Sequence, residues 1–171
     1  VTVMGRLSSE KAYDDMLRVF VKVLEQNPSA HLNIVGDGEE RHNLSVLADR
    51  LGIADSVTFY GNKVGKEKSQ ILENTSVFVT TSHYESFGLV LLEAMDYGIP
   101  CLSFDSAKGS LDIIEDGKDG YIIKNRDLDQ MANKLVELLN NPSKELSKNA
   151  KDKANSYSYE NVRKQWLDAF K

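Results

Sequence analysis

The chain has 171 residues, of which 41% are hydrophobic and 27% are charged, so it is long enough to form one globular domain with a sizeable core. Its net charge of −5 argues against a general nucleic-acid-binding role. The single cysteine, Cys101, excludes an internal disulfide, and no apolar run reaches the roughly 18 residues that a membrane-spanning helix needs. We therefore expect a protein of the reducing cytoplasm.

Apolar runs alternate along the chain with helical periodicities, a pattern typical of a parallel sheet covered by helices on both faces. The predicted strands are Val1–Met4, His31–Val35, Val57–Tyr60, Val77–Thr80, Pro100–Phe104 and, at an edge, Tyr121–Lys124. The predicted helices between and after them are Lys11–Gln26, Glu39–Leu51, Lys66–Glu73, Phe87–Tyr97, Ser110–Glu115 and Leu128–Leu139. The pattern predicts a three-layer α/β/α Rossmann-like fold with a parallel sheet of about six strands.

The C-terminal part, residues 143–171, follows a break at Asn141-Pro142 and is predicted to form two polar helices. We expect five side chains to anchor these helices: Tyr157, Tyr159, Trp166, Leu167 and Phe170. We interpret residues 1–171 as a single domain. Because Val1 reads as the start of a buried strand, we also interpret the chain as part of a longer protein.

Four predicted strands are each followed directly by a loop that contains glycine or charged residues. These loops contain Arg6, Gly36, Gly61 and Glu85. Ligands of doubly wound folds bind beyond the carboxyl ends of the strands, so we expect the four loops to converge on one rim of the sheet.

The segment from Ser82 to Met95 is the most informative about function. Glu85 and Glu93 bracket a small, flexible turn that opens an apolar helix. The unpaired N–H groups and partial positive charge of a helix N-terminus attract phosphate. Carboxylates on either side can accept hydrogen bonds from hydroxyls. Phosphate flanked by hydroxyls is the chemistry of a sugar nucleotide, which this segment therefore predicts as the ligand.

Five collinear segments resemble the signatures of retaining GT-B glycosyltransferases, especially the large family-4 group. They are Val3–Lys11 (the GRL…K phosphate loop), Ile34–Gly38 (VGDG), Phe59–Asn62 (F-x-G), Glu85–Glu93 (E-x7-E) and Ile113–Tyr121 (I-x-DG-x-NG). One such segment would be weak evidence for the resemblance, but five in the same order across nearly the whole chain are specific evidence for it. The resemblance implies one half of a GT-B fold, the C-terminal donor-binding domain, without its N-terminal acceptor domain.

The resemblance also implies roles for four charged residues. Arg6 and Lys11 would bind the diphosphate and stabilise it as it leaves, Glu85 would face the donor sugar, and Glu93 would accept hydrogen bonds from the ribose hydroxyls. Each residue also has an ordinary structural alternative. Arg6 would be a solvated loop arginine and Lys11 a lysine at a helix start. Glu85 would be a surface loop carboxylate or a helix N-cap, and Glu93 would pair with a lysine or a backbone donor.

Further donor-binding residues are assigned by the same resemblance. They are Gly5, Gly36, Asn62, Lys63, Ser86, Phe87, Gly88 and Leu89. The turns at Gly36 and Asn62-Lys63 would form the base pocket, although a surface role for Lys63 remains open. Residues 86–89 would act through their backbone, with Phe87 as a wedge beneath the loop. Lys108-Gly109 lies where relatives carry a small residue and glycine near the sugar.

We expect neither a metal nor a cofactor. Asp127-Leu128-Asp129 matches the metal-binding motif D-x-D. It begins a predicted amphipathic helix, however, and we interpret its carboxylates as the acidic residues common at helix N-termini. We do not expect His83 to be a catalytic base, in spite of its closeness to Glu85. The chain has no G-x-x-x-x-G-K-S/T and no G-x-G-x-x-G, so it does not resemble an NTPase or a dinucleotide oxidoreductase.

The resemblance thus predicts an enzyme, a retaining hexosyltransferase. The donor would be a UDP-hexose or UDP-N-acetylhexosamine. The acceptor would be a hydroxyl of a bacterial surface glycan, teichoic-type polymer or lipid-linked saccharide, bound by the missing domain. The full-length enzyme would work in the cytoplasm or at the inner face of the membrane, and residues 1–171 alone would be inactive. Two alternatives remain: a non-catalytic sugar-nucleotide-binding subunit of a glycosyltransferase complex, and a GT-B UDP-sugar epimerase.

Overall fold

A computed structural model of the chain describes residues 1–169, so the predicted anchor Phe170 lies outside the described residues. The six strands are β1 (Thr2–Met4), β2 (Leu32–Val35), β3 (Val57–Gly61), β4 (Phe78–Thr80), β5 (Cys101–Phe104) and β6 (Gly120–Ile123). They form one parallel sheet in the order β3-β2-β1-β4-β5-β6. The predicted six-stranded parallel sheet is confirmed, with β6 at an edge.

Within residues 1–169, eight α-helices connect and cover the strands. They are α1 (Tyr13–Gln26), α2 (Arg41–Arg50), α3 (Gly65–Glu73), α4 (Leu89–Asp96), α5 (Lys108–Ile113), α6 (Leu128–Asn140), α7 (Lys144–Ser156) and α8 (Tyr159–Ala169). Helices α1, α2 and α6 contribute to one core cluster, α3, α4 and α5 contribute to a second, and α7 contributes to both. Val79 of β4 belongs to the first cluster and its neighbour Phe78 to the second, because successive strand residues point to opposite faces of the sheet. The three-layer α/β/α arrangement is confirmed.

Helices α1, α2 and α4 each begin two residues later than the sequence pattern predicts, and in α1 and α4 a left-handed residue precedes the start. Residues 9–11 form a separate 3₁₀ turn, and Ala12 adopts a left-handed conformation with φ of 48°, so α1 begins at Tyr13 rather than Lys11. Gly88 has φ of 91° and precedes the first residue of α4, so that helix begins at Leu89 rather than Phe87. Both breaks redirect the chain at the carboxyl edge of the sheet.

The strand order places a topological switch point between β1 and β4. From β1 the chain proceeds to β2 and β3 on one side, and from β4 to β5 and β6 on the other. A crevice opens where two such connections leave in opposite directions, and this is where ligands of doubly wound sheets bind. The loop after β1 and the loop after β4 therefore flank the expected ligand position.

The C-terminal helices differ from expectation in how they are anchored. Helix α7 packs on α4, where its Ala150 joins the second core cluster, and its buried Leu146 belongs to the first cluster. Tyr157 donates a hydrogen bond to the Asp112 carbonyl (3.2 Å), as an anchor should. The predicted anchors Tyr159, Trp166 and Leu167 are instead 80%, 63% and 56% exposed, so their assignment to the core was wrong.

No helix within residues 1–169 combines the length and the apolar character that crossing a membrane requires.

Candidate functional site

Three glycines stack the loops after β1, β2 and β3 against one another. A Cβ on Gly36 would lie 1.9 Å from the carbonyl oxygen of Gly5, a distance that only glycine avoids. The Gly36 N–H donates to the Gly61 carbonyl (2.9 Å), and the Gly5 N–H donates to the Val35 carbonyl (3.0 Å). Glycine at positions 5 and 36 therefore lets the first two loops meet through their backbones, as the convergence on one rim requires.

An ion pair between Lys11 and Glu85 joins the two sides of the switch point. Lys11 Nζ lies 2.8 Å from Glu85 Oε2, and the side chains are only 20% and 16% exposed. The backbone is fixed beside them, because the Thr81 hydroxyl donates to the Lys11 carbonyl (3.0 Å) and the His83 N–H donates to the Glu10 carbonyl (2.8 Å). Two of the residues predicted to be catalytic thus meet directly.

Arg6, the third predicted catalytic residue, is exposed on the loop after β1. Its guanidinium makes no hydrogen bond or ion pair with any residue in the described range 1–169. The rim therefore holds one cation already neutralised by a carboxylate, Lys11, and one whose donors remain available, Arg6.

The loop between Glu85 and Gly88 rests on the backbone of α5. The Gly109 N–H donates to the Glu85 carbonyl (2.9 Å), and a Cβ on Gly109 would lie 2.6 Å from the Phe87 nitrogen. Gly88 supplies the left-handed turn into α4. Ser86 and Leu89 are exposed on either side of this turn.

The prediction that Phe87 is a wedge beneath this loop is wrong. Its side chain is 39% exposed and packs edge-on against Tyr157, with ring centroids 5.9 Å apart. The support under the loop comes from Gly109, whose missing side chain allows the backbones to touch. Phe87 instead ties the loop to the end of α7.

Glu93 lies in the second turn of α4 and pairs with Lys68 of α3. The Lys68 Nζ to Glu93 Oε1 distance is 3.0 Å, and the side chains are 28% and 43% exposed. A pair with a lysine is the ordinary alternative that the sequence leaves open for Glu93. The structure shows that the helix turns Glu93 towards solvent and that a lysine accompanies it.

The loop after β3 carries the remaining two predicted residues. Asn62 is exposed, and Lys63 pairs with Glu67 one helical turn further along (2.7 Å). Neither residue contacts Lys11, Glu85 or Glu93 within the described chain. Their link to the site is the Gly36–Gly61 contact, which places their loop next to the loop after β2.

Arg126, which sequence analysis missed, fastens the start of the loop that carries Glu85. Its guanidinium donates to the carbonyls of Thr81 (3.0 Å) and Ser82 (3.2 Å) and to the Asp15 carboxylate, and lies over the Phe104 ring at 4.7 Å from the centroid. It also donates to the Ser106 hydroxyl (2.8 Å). Arg126 has left-handed backbone with φ of 51°, a conformation that the dense contacts of its side chain help to hold.

Other polar residues singled out by the sequence have structural roles. Asp127 caps α6 by accepting from the Gln130 N–H (2.9 Å), and Asp129 pairs with Lys22, as a helix N-terminal charge pattern would. In the I-x-DG-x-NG segment, buried Asp119 accepts from the Glu115 N–H (2.8 Å), and burial raises the pKa of this carboxyl. That segment shapes the turn between α5 and β6.

Comparisons with known proteins identify the family to which the chain belongs. Residues 1–157 match the family described as glycosyl transferases group 1. An uncharacterised glycosyltransferase of Haemophilus influenzae is 32% identical over 95% of the chain and 46% of its own length. The poly(ribitol-phosphate) alpha-N-acetylglucosaminyltransferase of Staphylococcus aureus is 29% identical over 98% of the chain and 34% of its length.

Among solved structures, the pneumococcal O-GlcNAc transferase GtfA in complex with UDP and GlcNAc superposes with a TM-score of 0.87 and 26% identity. The match covers 98% of the chain and 34% of that structure. The chain thus spans between one third and one half of the length of these relatives. Since the family match extends over almost all of the described fold, the chain belongs to the glycosyl transferases group 1 family.

Proposed function

We propose that the chain is the donor-binding half of a retaining GT-B glycosyltransferase and that its rim binds a nucleoside diphosphate sugar. The observation that carries the proposal is the Lys11–Glu85 pair at the switch point, with unpaired Arg6 beside it. This arrangement sets cations for a diphosphate next to a carboxylate for a hydroxyl, which is the chemistry of a nucleotide sugar.

The proposed roles follow from position. Arg6, Lys11 and the backbone N–H groups at the start of α4 bind the diphosphate and stabilise the charge that it gains as the bond to the sugar breaks. Glu85 accepts hydrogen bonds from the sugar. Glu93 exchanges Lys68 for the ribose hydroxyls, and the backbone at Gly36, Asn62 and Lys63 borders the base. No metal is needed in this scheme, because the cationic side chains supply the positive charge.

For the donor we propose UDP-N-acetylglucosamine before other UDP-hexoses. The staphylococcal relative is named as an N-acetylglucosaminyltransferase, and the pneumococcal structure holds UDP and GlcNAc. For the acceptor we propose a hydroxyl of a glycan or polyol phosphate polymer. Its oxygen forms a bond to the anomeric carbon while the bond to the diphosphate breaks, and its proton passes to the departing diphosphate.

The remainder of the protein completes the enzyme in this proposal. In GT-B enzymes the acceptor binds to the other domain, and closure excludes water from the reacting bond. We expect residues 1–171 to bind donor without transferring sugar and the full-length protein to work at the cytoplasmic face of the membrane. Sugar transfer by residues 1–171 alone, or inverted anomeric configuration in the full-length product, would contradict the scheme.

Calorimetry with UDP, UDP-N-acetylglucosamine, UDP-glucose and uridine tests the binding proposal. We expect UDP and at least one UDP-sugar to bind in the presence of EDTA, more tightly than uridine. Binding that EDTA abolishes and Mn²⁺ or Mg²⁺ restores would show that Arg6 and Lys11 do not have the proposed role. A UDP-sugar epimerase is distinguished by epimer formation without an acceptor, and a non-catalytic subunit by the absence of transfer from the full-length protein.

A further inference from the structure

Tyr13 is the first residue of α1 and lies directly behind the rim. The left-handed Ala12 turns the chain between Lys11 and Tyr13, so both side chains approach the loop after β1. Tyr13 is 4% exposed, and its ring belongs to the core cluster of β1 and α1. The ring is therefore fixed by packing, and its hydroxyl has a defined position.

That position is the corner occupied by Lys11. The Tyr13 hydroxyl lies 3.0 Å from the point where a Cβ on Gly5 would stand, and Lys11 Cε lies 3.9 Å from the same point. Any side chain at position 5 would collide with the hydroxyl. Glycine at this position thus leaves the tyrosine oxygen next to the backbone of the phosphate loop and the stem of the pairing lysine.

The hydroxyl oxygen retains contact with solvent at the end of a buried ring. It makes no hydrogen bond with any of residues 1–169. Burial and the nearby Glu85 carboxylate raise the pKa of Tyr13, so the oxygen keeps its proton and can donate. A tyrosine hydroxyl that has no protein partner and is reached from the solvent side of the rim can donate a hydrogen bond to a ligand that comes from outside the chain.

We propose that the Tyr13 hydroxyl donates a hydrogen bond to the sugar-side phosphate of the bound nucleotide sugar, next to Lys11. This inference rests on the proposed function and adds a neutral third donor to Arg6 and Lys11. A phosphate oxygen is the fitting acceptor, because the hydroxyl lies next to Gly5 together with the stem of Lys11, the cation proposed to bind the diphosphate. Tyr13 is thus a binding residue that discriminates a diphosphate from a monophosphate.

Calorimetry on Tyr13→Phe with UDP, UMP and uridine tests the inference, since UMP lacks the second phosphate. We expect Tyr13→Phe to weaken UDP binding about 10- to 100-fold, the scale of one hydrogen bond to a charged group, and to leave the affinities for UMP and uridine unchanged. Tyr121→Phe is the matched control, because Tyr121 lies under Lys134 on β6. It should leave the affinities for all three ligands unchanged.

Thermal unfolding separates binding from folding. Without ligand, Tyr13→Phe should unfold at the same temperature as the unmodified chain or above it, because it removes an unpaired polar group. Unchanged UDP affinity in Tyr13→Phe, equal losses for UDP and UMP, or a marked fall in unfolding temperature would each overturn the inference alone. If the unmodified chain does not bind UDP, or if Lys11→Ala does not lower the UDP affinity, the proposed function is rejected as well.

Discussion

Glu85 and Glu93 carry the same carboxylate on either side of the start of α4, yet the fold holds them differently. Glu85 is 16% exposed, lies in a loop and pairs with Lys11. Its backbone is fixed by Gly109. Glu93 is 43% exposed, lies within the helix and pairs with Lys68. The Lys11–Glu85 pair is thus shielded from solvent at the rim, whereas the Lys68–Glu93 pair is more exposed to solvent.

The difference indicates what a ligand must do at each position. Shielded charges interact more strongly than solvated ones, so a ligand that draws Lys11 away must leave Glu85 with another partner. A donor sugar next to the diphosphate can supply that partner through its hydroxyls. At Glu93, water or ribose can replace Lys68 at little cost. The comparison therefore predicts that changes at the two lysines have different sizes and opposite signs.

Lys11→Ala should have the largest effect on binding. It removes a diphosphate contact and leaves the shielded Glu85 unpaired beside an incoming anion, so we expect UDP affinity to fall by about 3 kcal/mol. Arg6→Ala removes an exposed cation with no protein partner and should cost about 1.5 kcal/mol. Calorimetry with UDP and uridine checks both values. Equal losses for the uncharged uridine would mean that the loop had unfolded.

Arg126→Ala should have the next largest effect, on stability. It leaves the Thr81 and Ser82 carbonyls and the Asp15 carboxylate without their shared donor, so we expect unfolding free energy to fall by about 2 kcal/mol. Because Arg126 fastens the loop of Glu85 and not the helix of Glu93, UDP-sugar affinity should fall more than UDP affinity. Denaturant unfolding and calorimetry measure the two quantities. If stability falls and the affinities for UDP and the UDP-sugar fall equally, Arg126 supports the fold generally rather than the loop of Glu85.

The sheet and most helices were predictable, because alternating apolar runs and 3.6-residue periodicities are local signals. The shifted starts of α1 and α4 were harder. Ala12 adopts positive φ without being glycine, and the consequence of Gly88 for its neighbours depends on how α5 packs beneath the loop. A local pattern does not show which residues from distant elements enforce such a turn.

The site was predictable where a motif carries the chemistry and unpredictable where the partner is remote. Arg6, Lys11, Glu85 and Glu93 lie in recognisable segments. Lys68 lies 25 residues from Glu93, and Arg126 lies 111 residues from Asp15. Ordinary surface lysines and a loop arginine have no distinguishing sequence signal. In the sequence, Tyr13 reads as one more apolar position of the helix α1. Only the three-dimensional structure shows that its hydroxyl lies beside Gly5 and Lys11.

Exchanging each carboxylate for an amide should have an intermediate effect that separates the two glutamates. Glu93→Gln should weaken UDP and UDP-N-acetylglucosamine equally, by about 1 kcal/mol, because both contain ribose. Glu85→Gln should weaken only the UDP-sugar, and UDP affinity should hold or rise slightly since Lys11 is released for the diphosphate. Titrating both ligands into both variants checks this. The reverse pattern would exchange the two assignments.

Lys68→Ala should have the smallest effect and the opposite sign to Lys11→Ala. The partly solvated pair contributes little to folding, so we expect unfolding free energy to change by less than about 0.5 kcal/mol. With Lys68 gone, Glu93 no longer has to exchange a protein partner for the ribose hydroxyls, so uridine and UDP should both bind more tightly by about 0.5 kcal/mol. Lys22→Ala, which breaks the exposed pair with Asp129 between α1 and α6, is the matched control and should leave affinity unchanged. If Lys68→Ala instead weakens UDP binding as Lys11→Ala does, Lys68 contacts the ligand directly, and the two lysines belong to one cationic site.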